Sequence, residues 1–373
     1  MTVRSGVGTA LPVRRGHIPV TTYDSVADLL VRIDDVSLTR RERDTSSGFT
    51  RVTTEIALSG CGETGRGEDV TYDAEDHEGF DAAALDVTGE STVDSFSSVV
   101  GDTDLFPARD PERAASRYYR RWAVESAALD LALKQAGESL GSALGRTYDP
   151  VNFVASTRLG DPPTADRVSA LLDAVPDLAF KFDPTSDWDA DLVDELADIA
   201  TVRVLDLKGK YEGTTVDQSP DPDLYRLVAD GFPEAVIEDP AITDETRPIV
   251  DDVADRVSWD SPITGVDSVE SLPFEPNWLN VKPSRFGSVE SLFDTLDYAS
   301  ERGIRLYGGG QFELGVGRRQ IQAIASLFYP DAPNDVAPGG YNDPEVPPDL
   351  PSSPLPPPEP AVGIATDNAS AER

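Results

Sequence analysis

Lysine is scarce in this sequence of 373 residues, and carboxylates are abundant. Lys and Arg together number 32 against 68 Asp and Glu, which gives a formal net charge of −36. Only five lysines occur, at positions 134, 181, 208, 210 and 282. Carboxylates stay hydrated when salt screens other charges, so the composition indicates the salt-rich cytoplasm of a halophile. Such a surface repels nucleic acid and anionic membranes, so both are poor candidate partners, and small molecules remain.

Cysteine and histidine are almost missing as well. A single cysteine, Cys61, excludes an intrachain disulfide, favours a cytoplasmic location and is expected to be a small buried residue. We expect His77 on the surface, because it stands in the acidic stretch DAEDHEGF, and His17 in a solvated loop, with a substrate contact as its alternative. So few nitrogen and sulfur ligands make a zinc site improbable. Apolar runs of membrane-spanning length are also missing, so no membrane span is expected.

Hydrophobic periodicity divides the chain into four parts. Residues 1–28 show no periodic element and are predicted to be an irregular leader. Residues 29–148 begin with alternating polar and apolar residues and continue with helical patterns, which predicts an α+β domain. In residues 149–335 a short apolar run precedes an amphipathic stretch seven times, which predicts a parallel sheet with crossover helices, closed into a (β/α) barrel. Residues 336–373 are proline-rich and predicted to be extended or disordered.

Charged residues collect at the ends of the predicted barrel strands. The carboxyl ends of barrel strands meet at one mouth, where the catalytic groups of barrel enzymes lie. The polar residues at these ends are Lys181, Asp183, Asp206, Lys208, Glu238, Asp260, Lys282, Gln311 and Glu313. Three of the five lysines are therefore expected in the mouth, beside carboxylates.

Three of these residues suit a hard cation. Asp206, Glu238 and Asp260 come from consecutive predicted strands and would form an oxygen-only cluster of the kind that binds Mg²⁺. Lysines beside such an ion can transfer protons, because nearby positive charge and burial lower their pKa. The alternative is that the carboxylates only form ion pairs with the lysines and help to close the barrel.

Five segments of the chain carry a further signal. They are a glycine-rich turn, the helical stretch that leads to the barrel, and three predicted strand ends: GCGETGRGE, ESAALDLALKQAGESLGSALG, VIEDP, LNVKPSRFGSVES and GGGQFELGVGR. In order and spacing these segments resemble the enolase superfamily, in its muconate-lactonising and mandelate-racemase branch. The resemblance covers nearly the whole chain and implies a modified TIM barrel with an N-terminal α+β capping domain.

The resemblance also implies roles for the residues of the predicted mouth. The three carboxylates take the positions of the metal ligands, with Asp267 as the fallback for Asp260. Lys282 takes the position of the acid/base on the sixth strand. Lys181 takes that of an electrostatic lysine near the substrate carboxylate.

Two positions depart from the superfamily pattern. Asp183 stands where relatives usually carry a Lys or His base, and Lys208 stands where they usually carry Asn. Lys208 is therefore interpreted as a relocated base that pairs with Asp183. The alternative is a salt bridge in a site that no longer performs the superfamily reaction.

Loop residues complete the predicted site. Gln311 and Glu313, on the late glycine-rich loop, are the expected substrate-binding residues. Arg318 could meet a substrate anion near a helix N-terminus, but pairing on the surface is the favoured interpretation. Lys210 and Tyr211 lie on a loop where solvated and lid roles are equally plausible.

The reaction implied by the resemblance is removal of the proton alpha to the carboxylate of a small molecule, with Mg²⁺ stabilising the enolate. We favour elimination, by a lyase or dehydratase that uses Lys282; racemisation, epimerisation and cycloisomerisation stay open. Two other classes also stay open: a non-catalytic metal- or ligand-binding barrel, and an unrelated barrel aldolase with a Schiff-base lysine. Residues 17–27 and 44–49 of the capping domain are expected to close over the mouth. A homo-oligomer is compatible with the sequence.

Overall fold

The computed structural model describes residues 21–211 and 217–366. Most of the predicted leader, including His17, therefore lies outside the described residues. The described residues form an N-terminal domain with antiparallel sheets, called the cap below, and a barrel of parallel strands. Within them, no helix is both long and apolar enough to cross a membrane.

Antiparallel strands and one long helix build the cap. Its elements are α1 (Asp24–Ala27), β1 (Leu30–Ile33), β2 (Asp35–Asp44), β3 (Thr50–Gly60), β4 (Glu63–Asp69), β5 (Gly89–Thr92), α2 (Val93–Asp102), α3 (Ser116–Ala136) and α4 (Leu140–Leu144). Strands β2, β3 and β4 form one antiparallel sheet, and β1 pairs with β5. The central strand β3 is buried almost throughout, whereas the edge strand β2 alternates between exposed and half-buried residues.

Glycine allows α3 to pack directly against β4. A Cβ atom at Gly67 would lie 2.0 Å from the backbone oxygen of Ala123. One at Gly65 would lie 2.2 Å from the backbone oxygen of Ala127. These distances are far below van der Waals contact, so only glycine lets the helix approach so closely. This requirement explains two glycines of the glycine-rich turn seen in the sequence.

Seven parallel strands alternate with helices to form the barrel. In chain order the elements are β6 (Val154–Thr157), α5 (Asp166–Ala174), β7 (Ala179–Phe182), α6 (Ala190–Ile199), β8 (Thr201–Asp206), α7 (Pro222–Gly231), β9 (Val236–Glu238), α8 (Arg247–Asp252), β10 (Val257–Trp259), α9 (Val266–Glu270), β11 (Trp278–Val281), α10 (Pro283–Phe286), α11 (Val289–Arg302), β12 (Arg305–Gly308) and α12 (Val316–Phe328). Neighbouring strands pair in chain order from β6 to β12. The expectation of a modified TIM barrel with an α+β capping domain is confirmed.

Two residues bridge the gap between the first and last barrel strands. Asn334 forms a parallel bridge with Phe153, just before β6, and Asp335 forms one with Gly309, just after β12. The side-chain oxygen of Asn334 also accepts the N–H of Gly308 at 2.6 Å. The eighth position of the barrel is thus filled by a very short segment rather than by a full strand.

The described part of the proline-rich tail, residues 336–366, contacts both the barrel and the cap, so disorder, one of the two predicted options, is wrong for these residues. Leu355 forms an antiparallel bridge with Val151, just before β6. Ile364 is buried, and its N–H donates to the carboxylate of Asp130 in α3 at 2.8 Å. The tail is held because it buries apolar side chains and finds partners for its backbone, neither of which is visible in its composition.

The burial of two cap residues is the opposite of what the sequence predicted. His77 is buried rather than on the surface, because its ring is held between the hydroxyl of Thr54 and the backbone oxygen of Thr71, both at 2.9 Å. Cys61 is exposed rather than buried. It occupies the tight turn between β3 and β4 with Gly62, where both residues have positive φ angles of 55° and 85° and the side chain points to solvent.

Candidate active site

A cavity of about 750 Å³ lies between the cap and the mouth of the barrel. The cap contributes Phe49 and Tyr72 to its walls, and the barrel contributes Lys181, Lys208 and Lys282. Of the two cap stretches expected to close over the mouth, 44–49 supplies lining residues. In the other stretch, the described residues 21–27 include none of the lining residues.

Three buried carboxylates lie together at the carboxyl ends of the strands. Asp206 ends β8, Glu238 ends β9 and Asp260 directly follows β10. Asp206 and Glu238 are register partners in the sheet, which brings their side chains side by side. One oxygen from each of the three carboxylates lies within 4.8 Å of the others. The exposed Asp267, considered as a fallback ligand, lies in the first turn of α9 and is not part of this group.

Each of these carboxylates is bonded to a lysine. The Lys181 ammonium donates to Glu238 at 2.6 Å and lies 3.2 Å from Asp206. The Lys282 ammonium donates to Asp260 at 2.8 Å. The third lysine of the cavity, Lys208, donates to Asp206. Each carboxylate of the cluster is thus paired with a lysine that lines the cavity.

The relocated lysine occupies an unusual backbone conformation. Lys208 has a φ angle of 54°, in the left-handed region that Gly and Asn adopt more readily than Lys. Its ammonium lies 3.4 Å from Asp183, which also accepts a bond from Arg158 at 3.4 Å. Asp183 thus joins Lys208 to a third charged group on the cavity wall. A strained backbone at a half-buried, paired lysine is the kind of feature that collects at functional sites.

The carboxylates favour the charged form of two of these lysines, Lys181 and Lys208. Burial lowers the pKa of Lys181, but the charges of Glu238 and Asp206 outweigh burial and raise that pKa well above its usual value. For Lys208, too, the nearby carboxylates, Asp183 first, overcome burial and raise the pKa. The sequence-based expectation of lowered lysine pKa values concerned lysines beside a bound cation, and for that state it stays a prediction.

The pKa values of two of these carboxylates are shifted in opposite directions. Burial raises the pKa of Asp206, but Lys208 and Lys181 overcome it and hold that pKa below its usual range. Burial, together with the charge of Asp206, raises the pKa of Glu238. Glu238 also accepts a hydrogen bond from the hydroxyl of Tyr307 and one from the amide of Asn280 at 3.3 Å.

A second layer of groups orients Asp260. The carboxylate of Asp239, the residue after Glu238, accepts the backbone N–H groups of Asp260 at 2.9 Å and of Ser261 at 2.8 Å. Burial and the charge of Asp260 raise the pKa of Asp239 to about 7. The side chain of Asp260 accepts bonds from the Tyr211 hydroxyl at 2.8 Å and from Arg285 at 3.2 Å. Tyr211, expected to be a solvated or lid residue, therefore reaches the carboxylate cluster.

Sequence reasoning missed three residues of this site. Arg285 was detectable, because it stands three residues after Lys282 in the stretch KPSR, one turn of α10 away. Asp239 was detectable as the second acidic residue of VIEDP. Asp335, which lies 3.7 Å from Lys181, carried no signal, because its strand is reduced to an isolated bridge.

The β12–α12 loop is tied to the cap. The carboxylate of Glu68 in β4 accepts the backbone N–H groups at the start of α12, those of Leu314 at 2.6 Å and Gly317 at 2.8 Å. A side chain of the cap thus fills the helix N-terminus that was considered for a substrate anion. Arg318 is buried and lies 3.4 Å from Glu313, so the expectation of a surface pair is wrong.

The two predicted substrate-binding residues have different surroundings. Gln311 lines the cavity. The carboxylate of Glu313 instead accepts the backbone N–H of Gln311 at 2.7 Å and faces Arg318. A role in substrate binding stays a prediction for both residues.

The cluster fits a hard divalent cation. Its donors are carboxylate oxygens, all from residues with no exposed surface. One of them, Oδ1 of Asp260, is buried without a hydrogen-bond partner among the described residues. Buried polar atoms normally have a partner, so an unpaired carboxylate oxygen in this group suits a ligand to Mg²⁺.

Two family descriptions match the chain. "Domain of unknown function (DUF8230) N-terminal domain" matches residues 24–143, and "Domain of unknown function (DUF8230) C-terminal domain" matches residues 147–343. The chain belongs to the DUF8230 family. The two matches follow the division of this DUF8230 protein into cap and barrel.

The DUF8230 protein is also similar to enzymes. It is 26% identical to the o-succinylbenzoate synthase of Bacillus subtilis (strain 168) over 254 residues, which are 64% of this chain and 66%, just under two thirds, of that relative. A dipeptide epimerase from Methylococcus capsulatus, solved with Mg and a dipeptide, has a TM-score of 0.64 at 18% identity, covering 83% of this chain and 92% of that one. The muconate lactonizing enzyme of Pseudomonas putida has a TM-score of 0.61 at 20% identity, covering 82% and 88%. The solved neighbours are enolase-superfamily members, and the DUF8230 protein shares their fold.

Proposed function

We propose that this protein is a Mg²⁺-dependent enzyme that removes the proton alpha to the carboxylate of a small molecule, as a lyase or dehydratase. The observation that carries the proposal is the group of three carboxylates, with oxygens within 4.8 Å of one another, bonded to lysines that line one cavity. The similarity to an o-succinylbenzoate synthase and to a dipeptide epimerase solved with Mg supports the same chemistry.

The carboxylates and lysines of the site have separate roles in the proposed reaction. Asp206, Glu238 and Asp260 would hold the ion, which when bound supplies positive charge beside the substrate carboxylate and so makes the neighbouring C–H more acidic. Lys282 lines the cavity next to Asp260 and takes the proton from the alpha carbon. Lys181 stays charged, because its adjacent carboxylates raise its pKa, and it stabilises the negative charge that develops on the substrate.

Lys208 supplies a second proton-transfer group. It follows β8, three strands away from the β11 end that carries Lys282, so the two ammonium groups approach the cavity from different sides. In an elimination Lys208 protonates the leaving hydroxyl, with Asp183 holding its ammonium. The presence of lysines on two sides also favours epimerisation as a second candidate, because that reaction needs proton transfer on both faces of the alpha carbon.

Exchange of the alpha proton for deuterium tests the proposal. The protein is incubated in D₂O with molar KCl, Mg²⁺ and a panel of acid sugars, N-acyl amino acids, dipeptides and succinylbenzoate precursors, and exchange is followed by NMR. We expect exchange with at least one substrate, lost on adding EDTA and lost in Lys282→Ala. The matched control Lys134→Arg, which keeps the ion pair with Asp130 outside the cavity, should exchange like the wild type.

Two outcomes would contradict the proposal. A protein that binds members of the panel without any exchange is a binding barrel. Activity that survives EDTA and leaves a borohydride-trapped lysine belongs to an aldolase. The further expectations of a halophilic cytoplasm and of a homo-oligomer are part of the same proposal.

A further inference from the structure

We infer that the cavity contains a second recognition site, centred on the side-chain amide of Gln311, for an uncharged oxygen in a part of the substrate away from the reacting carbon. The inference rests on the proposed function only for the identity of the reacting end. It adds the chemical class of the group at the other end of the substrate, which would carry a ketone, amide or hydroxyl oxygen.

Three of the four polar groups of Gln311 have fixed partners in the protein. Its backbone N–H donates to Glu313 at 2.7 Å, and its backbone oxygen accepts from Arg51 at 3.2 Å. Its side-chain oxygen accepts from the hydroxyl of Tyr72 at 2.7 Å. The fourth group, the side-chain Nε2, is buried and has no hydrogen-bond partner among the described residues. A buried amide donor left unpaired is unfavourable, so this group is available to an acceptor on a ligand.

The protein holds this amide in place. Gln311 is only 1% exposed and lines the cavity. Arg51, also buried, anchors the loop by donating to the backbone oxygens of Gln311, Val70 and Thr71. With Tyr72 donating to one end of the amide, the Nε2 end is the one that remains for a ligand. A fixed donor discriminates between substrates better than a mobile one, because binding does not have to order it.

The charges around Gln311 favour an uncharged acceptor over a carboxylate. The carboxylate of Glu313 accepts the backbone N–H of Gln311, and the carboxylate of Glu68 accepts the backbone N–H of Leu314 at the end of the same loop. The cation beside it, Arg51, is already bonded to three backbone oxygens. Arg51 keeps its positive charge, and Arg318 faces Glu313 at 3.4 Å, so these two cations balance the two carboxylates. A substrate carboxylate at this position would therefore add an unbalanced negative charge, whereas an uncharged oxygen would not.

Aromatic side chains surround the same part of the cavity. Phe312, the next residue, packs edge to face against Phe49 of the cap, with ring centroids 5.4 Å apart. Phe49, Phe312 and Tyr72 all line the cavity. The site is thus built jointly by the cap and the β12–α12 loop, and it suits a carbonyl attached to an apolar or planar group.

Binding of matched pairs of carboxylic acids tests the inference. Each pair differs in one carbonyl, as in 4-oxo-4-phenylbutanoate against 4-phenylbutanoate, and calorimetry is done in molar KCl with Mg²⁺. The wild type should bind the oxo acid about 5- to 10-fold more tightly, and Gln311→Leu should bind both acids equally. The control Gln322→Leu removes a glutamine of α12 that donates to the backbone oxygen of Val336 at 2.9 Å, and it should keep the preference.

Stability provides a second readout. Gln311→Leu loses the bond that its Oε1 accepts from Tyr72, and Gln322→Leu loses the bond that its Nε2 donates to Val336, so both variants should melt slightly and similarly below the wild type. Loss of the preference for the carbonyl in Gln311→Leu alone is then not an effect of lowered stability. If Gln311→Leu does not fold, Tyr72→Phe, which releases the other end of the amide, should reduce the preference to about twofold. Equal binding of both acids by the wild type, no binding of any oxo acid, or an unchanged preference in the variant that folds would each overturn the inference.

The two proposals fail separately. A wild type that prefers oxo acids but exchanges no alpha proton contradicts the proposed reaction and leaves the Gln311 site standing. Exchange without any preference for the carbonyl contradicts the Gln311 site alone. Lys282→Ala should lose exchange and keep the preference, because Lys282 belongs to the other end of the substrate.

Discussion

Asp260 is the third metal ligand predicted from the sequence, and Asp267 was its fallback. The structure places Asp260 in the cluster and Asp267 on the exposed first turn of α9. We predict that Asp260→Asn weakens binding of Mn²⁺, a stand-in for Mg²⁺, by at least about tenfold, because one of three anionic ligands is lost. Asp267→Asn should leave the affinity unchanged. Titration with Mn²⁺, followed by electron paramagnetic resonance, measures the affinity of both variants. Weaker Mn²⁺ binding by Asp267→Asn, together with unchanged binding by Asp260→Asn, would contradict the assignment.

His77 links the stability of the cap to pH. Burial lowers the pKa of its ring, against the opposing charge of Asp69, whose carboxylate lies 3.9 Å away. The unfolded chain therefore takes up a proton at about pH 6.5, whereas the folded protein takes it up only at lower pH. The folded state gains stability from this residue above about pH 6.5 and loses it as the pH falls.

A histidine variant makes this dependence measurable. Between pH 7.5 and 5.5, the free energy of unfolding should fall more for the wild type than for His77→Gln, since the carboxylates common to both contribute equally. Denaturant unfolding in molar KCl at the two pH values gives the comparison. Equal losses in the two proteins would show that His77 is protonated alike in the folded and unfolded states.

At the scale of elements, the packing of α3 on β4 gives a sharp test. Gly67→Ala would place a methyl group 2.0 Å from the backbone oxygen of Ala123, so either the helix or the strand must move. We expect a loss of roughly 2–3 kcal/mol in the free energy of unfolding. Gly101→Ala in α2 is the matched control, because its nearest contact is the flexible end of Arg121 at 3.2 Å. The control should be neutral or slightly stabilising, and similar losses in both variants would contradict the packing argument.

The barrel strands were predictable because each one lies in a short apolar run, and the runs of β7 to β11 end in or next to a charged residue. The run VRVLDLK, for example, covers all but the first residue of β8, which ends at Asp206, and WLNVKPS contains β11, which Lys282 directly follows. A parallel sheet collects such ends at one edge, so the positions of the cluster followed from the pattern alone.

Other parts of the site depend on contacts that a local pattern does not contain. The segment at Asp335 is too short to leave an apolar run, and Tyr211 reaches Asp260 from a loop. The protonation of Lys181 depends on its distances to Glu238 and Asp206, which only the folded chain defines. The burial of His77 likewise depends on the approach of separate elements of the cap.

At the scale of the whole molecule, the tail connects the two domains. It contacts the start of the barrel through Leu355 and the cap helix α3 through Ile364. We predict that a chain ending at residue 350 melts at least a few degrees below one ending at 366, because it loses these contacts together with the burial of Ile364. Calorimetry in molar KCl compares the two chains, and equal melting temperatures would show that the tail adds nothing to stability.

The pairing of three ammonium groups with three carboxylates has a consequence for how ion and substrate bind in the cavity. Lys181, Lys208 and Lys282 balance the charges of Asp206, Glu238 and Asp260 within a chain that is otherwise strongly negative. A divalent ion adds two positive charges to this group, in which each carboxylate already has a lysine partner, and an incoming acid cancels part of them. Ion and acid should consequently promote each other's binding by the same factor, so that neither accumulates in the mouth without its companion.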